Sequence, residues 1–166
     1  SLSTQPTILV AGIGNVFLGD DAFGVEVVKR LGQGGLPDHV RVVDFGIRGM
    51  DLAYALMDPY DLAILVDAAP RGGTPGTTYV MELDVNSIAT DRGSPDPHAM
   101  DPVFVLHLVR AMGGSSCKRI LLVGCEPASL GDTEEGHIGL SPEAECAIDV
   151  AIAAIQDLCA AQPRAT

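Results

Sequence analysis

The stretch Ile8-Leu-Val-Ala-Gly-Ile-Gly-Asn-Val-Phe-Leu-Gly-Asp-Asp-Ala-Phe-Gly24 decides how this chain is read. An apolar run, Ile8 to Ala11, passes into a glycine turn and then into an acid pair, Asp20-Asp21, that opens a segment with Phe23, Val27 and Leu31 at a spacing of four. Run, turn and amphipathic segment in that order describe a strand entering a helix. The same termination recurs downstream: Val40 to Val43 ends at Asp44, and Leu62 to Val66 ends at Asp67. If these runs lie parallel in one sheet, their acids share one rim, where open α/β sheets place their sites.

Five strands are expected, at Ile8 to Ala11, Val40 to Val43, Leu62 to Val66, Thr78 to Leu83 and Ile120 to Val123. Four are continuous Val, Ile and Leu runs, as in strands covered on both faces, whereas Thr78-Tyr-Val-Met-Glu-Leu partly alternates and reads as an edge. Helices intervene. The second carries Leu52, Ala55 and Leu56 ahead of Asp58-Pro59, and the third has Asp101 as N-cap, Pro102 at its first position and Gly113 as its stop. The last opens with Ser141-Pro142-Glu143 and buries Ile148, Ile152, Ile155 and Cys159. The fold class is therefore α/β: a three-layer arrangement with a twisted, mostly parallel five-stranded sheet and helices on both faces. At 166 residues, a single domain over 1–166 is expected, with 1–6 flexible.

A hydrophobic fraction of 47% supports a filled core, and no apolar stretch approaches the roughly 20 residues that span a bilayer. A formal charge of −12 and a pI near 4.4 argue against nucleic acid, whose backbone is bound by clustered Lys and Arg. Cys117, Cys125, Cys146 and Cys159 form no C-x-x-C pair, which fits reduced thiols and a cytoplasmic setting. Gly12-x-Gly14 lacks the third glycine of a dinucleotide fingerprint, that position being Phe17, and Asp20-Asp21 would repel a phosphate. The P-loop, G-x-S-x-G and H-E-x-x-H patterns are absent. An acid at a helix start is commonly a cap, but two adjacent acids need only one cap, which leaves Asp21 free. His98, between Asp96-Pro97 and Asp101-Pro102, stands at a helix entry, and Cys125 at the end of the fifth strand is a minor nucleophile candidate against a buried structural thiol.

The segment Gly12 to Gly24 resembles the N-terminal signature of the hydrogenase maturation proteases, G-x-G-N-x-x-x-x-D-[DE]-x-x-G. Asp44-Phe-Gly-Ile-Arg-Gly-Met-Asp-Leu, Leu65-Val-Asp67-Ala-Ala, Pro97-His98 and His137-Ile-Gly-Leu-Ser-Pro142 are similar to the same family in the same order. Ala22 replaces the usual Gly after the acid pair, and Phe17 is bulkier than the usual aliphatic residue. The resemblance implies an endopeptidase that removes the C-terminal extension of a nickel-iron hydrogenase large-subunit precursor after nickel insertion, the bound nickel being the signal. It implies Asp21, Asp67 and His98 as metal-contacting and catalytic residues, and Asp44, Gly46 and Gly49 as substrate-binding. Nickel would come from the substrate, with other divalent metals able to substitute. The partner is the precursor, with no nucleic acid and no membrane, and the protein is expected to be a monomer. Two other readings use the same rim: a metal-binding escort that cuts nothing, and an aspartic hydrolase in which Asp21 and Asp67 share a proton.

Overall fold

A computed structural model describes residues 5–87, 101–130 and 139–163. Its elements in chain order are β1 (Ile8–Ile13), α1 (Phe23–Leu31), β2 (Val40–Gly46), α2 (Gly49–Ala55), β3 (Leu62–Ala68), β4 (Thr78–Leu83), α3 (Pro102–Ala111), β5 (Ile120–Cys125) and α4 (Pro142–Ala161). The sheet order is β2-β1-β3-β5-β4. β1, β2, β3 and β5 run parallel, whereas β4 pairs antiparallel with β5 at the edge. All five expected strands are present. Three of the parallel ones run two residues further than their apolar runs and β2 three, because ladder pairing carries the backbone past the last buried aliphatic residue to Asp44, Asp67 and Cys125.

β1, β3 and β5 are buried along their whole length, which explains their continuous apolar runs. Two clusters fill the two faces. Ile8, Val10, Ile64, Val66 and Val123 pack with Phe23, Val27, Ile148 and Ile155 beneath α1 and α4. Leu9, Ala11, Leu65 and Leu122 pack with Leu52, Leu56, Val105 and Val109 beneath α2 and α3. This is the three-layer α/β arrangement. The last helix buries Ile148, Ile155 and Cys159 as expected, whereas Ile152 is only half-buried at the margin of its cluster. α2 ends at Ala55, before Asp58-Pro59 is reached.

Near the start of the described chain, Pro6 is buried. Asp61, held by Lys118 at 2.8 Å, accepts the Thr7 N–H at 2.9 Å and ties this segment to the entry of β3. The lower end of the fold is thereby closed, opposite the rim where the acids stand.

The last glycine of the Gly12–Gly24 signature has a packing reason. A Cβ on Gly24 would stand 2.0 Å from the Val66 carbonyl oxygen and 2.5 Å from that of Ile13. α1 therefore enters within backbone contact of β1 and β3, and neither obstacle is a flexible side chain. Replacing Gly24 with Ala should destabilise the protein by about 2–3 kcal/mol, the upper part of the overpacking range, readable as a lowered midpoint in urea at unchanged slope.

Candidate active site

Four parallel strands bring their carboxyl ends to one rim. There Asp67 closes β3 at 1% exposure. The Ala68 N–H donates to its carboxyl group, but Oδ1 is buried without a hydrogen-bond partner among the described residues. A buried polar atom left unpaired costs on the order of 1–3 kcal/mol. Burial first, then the negative charges of Asp21 and Asp101, push the Asp67 carboxyl well above the usual carboxylate range.

Asp21 lies in the single 3-10 turn Gly19–Ala22 between β1 and α1. Its Oδ2 accepts the Asn15 N–H at 2.7 Å, and Asn15 Oδ1 in turn accepts the Phe17 N–H at 2.9 Å. Gly14, at φ 139°, makes this approach possible, since a Cβ there would fall 1.8 Å from the Asp21 carbonyl oxygen. Burial raises the Asp21 carboxyl as well; the Asn15 N–H opposes that shift and Asp101 adds to it. The structure thus brings Asp21 and Asp67 within electrostatic reach of one another. His98 lies outside the described residues, as does His137.

Asp20, the other half of the pair, works differently. It is not a cap for the helix it precedes. Its carboxylate accepts N–H groups from Ala128 at 2.8 Å, Ser129 at 3.3 Å and Ser141 at 2.7 Å, and the Ser141 hydroxyl at 2.8 Å. The Ser141 Oγ in turn accepts the Ala144 N–H at the start of α4. Asp20 therefore binds the segments after β5 and before α4 to the turn that presents Asp21. The 108 to 121 residues between partners explain why adjacency alone could not reveal this role.

Asp101 is the charged neighbour that the sequence reading confined to capping. Its Oδ1 accepts the Phe104 N–H at 2.7 Å, as expected of an N-cap, and its charge also acts on both Asp21 and Asp67. Its place three residues beyond His98 was the available signal. Among the described residues, no three His, Cys, Asp or Glu side chains are arranged to hold a metal ion.

Asp44 is exposed at the end of β2. Gly46 follows at φ 54°, and its carbonyl accepts the Gly14 N–H at 2.9 Å. The β2–α2 loop carrying Gly46 and Gly49 is therefore stitched to the turn that holds Asp21. Arg48 reaches back to the Asp44 carbonyl at 2.6 Å. On the other flank, Tyr79 of β4 packs over Gly124, where any side chain would meet the ring at 2.3 Å. Its hydroxyl donates to the Ala69 carbonyl at 2.7 Å, and burial pushes the phenol up to about 12. Gly124 is the register partner of Asp67, so Tyr79 walls the acid on that side. Cys125 is the structural thiol: it is fully buried in the α1–α4 cluster, and burial pushes it up to about 11.

Two buried carboxylates that raise one another's pKa thus stand together at the carboxyl rim of a mostly parallel α/β sheet. The family model for hydrogenase maturation protease matches residues 25–158. The chain is 36% identical over 147 residues to the hydrogenase 2 maturation protease of Escherichia coli, covering 87% of this chain and 85% of that one. It is 34% identical over 153 residues to the hydrogenase expression/formation protein HupD of Rhodobacter capsulatus, covering 91% and 70%. Among solved structures, the hydrogenase maturating endopeptidase HybD from Escherichia coli superposes with a TM-score of 0.71 at 37% identity, over 89% of this chain and 88% of that one. A hydrogenase 2 maturation peptidase from a Thaumarchaeota archaeon gives 0.69 at 29%, over 92% and 97%. The chain belongs to the hydrogenase maturation protease family, a family of peptidases.

Two measurements separate the roles of the acids. Asp20→Ala removes every acceptor of its network and should cost about 3 kcal/mol of stability, seen as a lower urea midpoint. Asp67→Asn should act in the opposite direction. Because folding raises the Asp67 pKa, the native state binds its proton more tightly than the unfolded chain. The stability from this group is full below about pH 4 and is lost as pH rises through the folded value. In chelator, the wild-type melting temperature should therefore drop from about pH 5 to pH 8 by more than that of Asp67→Asn, which cannot ionise. Parallel curves would remove Asp67 as the titrating group.

Proposed function

We propose that this protein is the endopeptidase that removes the C-terminal extension of a nickel-iron hydrogenase large-subunit precursor once nickel is in place. The observation that carries the reading is the fully buried Oδ1 of Asp67, without a partner among the described residues, within electrostatic reach of Asp21. Two carboxylates raised by burial and mutual repulsion are stabilised by any divalent cation that enters, and they are poor ligands for nothing else so much as for an anion. Family membership, and relatives named as hydrogenase maturation proteases and endopeptidases, support the choice of substrate.

In this reading nickel is part of the substrate. Asp21 and Asp67, with His98 as the third donor implied by the family motif, would hold it in a mixed oxygen and nitrogen set that leaves positions for groups of the precursor. The metal supplies Lewis acidity toward the scissile carbonyl. The chain's own residues do the rest. The Asn15 N–H fixes the Asp21 carboxylate; Tyr79 and the Ala68 N–H fix the end of β3; Asp44, Gly46 and Gly49 form the loop along which the peptide is laid. A precursor lacking nickel brings no cation to relieve the repulsion between Asp21 and Asp67, so it is not drawn into the site. The processing takes place in the cytoplasm, by a monomer.

Asp21→Asn should abolish shortening of the nickel-loaded precursor, followed by mass spectrometry, with the unfolding midpoint kept or raised. His98→Ala should lose at least about a hundredfold in rate, the scale on which ligand loss acts. A His98→Ala protein that keeps most of its activity would favour the shared-proton aspartic mechanism, and wild type that leaves the precursor mass unchanged would favour the escort reading.

A further inference from the structure

α2 is apolar on both of its sides. Leu52, Ala53 and Leu56 are buried against the sheet and α3, while Ile47, Met50, Tyr54 and Met57 are exposed at 62%, 49%, 61% and 37%. Met50 and Tyr54, four residues apart, share the outer face of α2, and Ile47 and Met57 stand in the turns at its two ends, so the exposed apolar group runs the length of the helix and just past it. Single exposed apolar residues are ordinary, but an aligned group marks a contact surface. The stripe is also electrically unlike its surroundings. In a chain of charge −12, the stretch 47–57 contains only Arg48 and Asp51 as charged side chains, and these pair with each other at 3.2 Å. Tyr, Met and Arg are the residue types enriched in the cores of protein interfaces.

Its position selects the occupant. Ile47 lies between Gly46 and Gly49, in the loop joined to the Asp21 turn by the Gly14–Gly46 hydrogen bond. The stripe begins beside Asp44 and leads away from the rim. A second copy of the chain seated there would stand over the loop that receives the peptide. A folded substrate whose extended C-terminus enters the rim would rest its body on this stripe while the tail is cut.

We propose that Ile47, Met50, Tyr54 and Met57 form the docking surface for the folded body of the large-subunit precursor, an uncharged apolar patch on that partner meeting an uncharged apolar stripe on this one. The inference rests on the precursor being the substrate. Docking then supplies affinity that the rim need not provide, and it separates recognition of the folded partner from inspection of its metal.

The test measures binding, so that it does not depend on cleavage. On the Asp21→Asn background, titration of nickel-loaded precursor should give a Kd at least about tenfold weaker for Tyr54→Ser/Met57→Ser than for the unaltered stripe, as expected for loss of buried aromatic and Met anchors. Both positions are exposed, so matching unfolding midpoints verify that the fold is intact, and Tyr54→Lys alone serves as a second variant. Equal Kd values overturn the proposal. So does sedimentation showing a wild-type dimer that the double variant converts to monomer, because the occupant is then a second copy. Wild type that binds precursor through the stripe but leaves its mass unchanged keeps the docking surface and overturns the peptidase reading instead.

Discussion

The structure turns on one carboxylate that the fold withdraws from water without giving it a full set of partners. Asp67 lies at the end of a strand buried on both faces, and its Oδ1 has no hydrogen-bond donor among the described residues. Native proteins leave few such atoms, because desolvation of a charge is among the larger penalties a fold can carry. The parallel sheet makes the position obligatory: the residue after a run of buried aliphatics emerges at the carboxyl rim, still enclosed by the helices on either face. An acid placed there is under electrostatic tension, and Asp21 and Asp101 increase it.

That tension is held by neighbours whose work is mechanical. Asp20 fastens the turn to the segments around Ala128 and Ser141; Gly14 allows the backbone to pass within contact of Asp21; Gly46 anchors the adjoining loop. Adjacent acids thus have opposite environments. Asp20 is satisfied by four donors, whereas Asp21 receives a backbone N–H from Asn15 and faces like charges. The two carboxylates differ in the count of donors, not in exposure, since both are buried.

The sheet was legible because buried parallel strands leave continuous aliphatic runs, and the edge strand because Thr78–Leu83 alternates. The caps of α3 and α4 followed from Asp101-Pro102 and Ser141-Pro142, and both form as read. Asp67 could be singled out because it follows a buried apolar run, and Asp21 because two adjacent acids need only one cap, both local properties of the chain. What could not be read depends on contacts distant in sequence. Asp20 finds its donors more than a hundred residues away, Asp101 acts on acids from other elements while capping its own helix, and Thr7 is tied to Asp61 far along the chain. The outward stripe of α2 was hidden for another reason: a helix with two apolar sides hides the buried one among the exposed.

Tyr79 ties the site to the margin of the sheet. It belongs to β4, the antiparallel strand at the sheet's outer edge, yet its ring fills the space left by Gly124 and its hydroxyl holds the backbone just past Asp67. One wall beside the buried acid is therefore supplied by a peripheral strand two places away in the sheet. Fraying of that margin, or a change at Tyr79, reaches the surroundings of Asp67 without altering β3 itself.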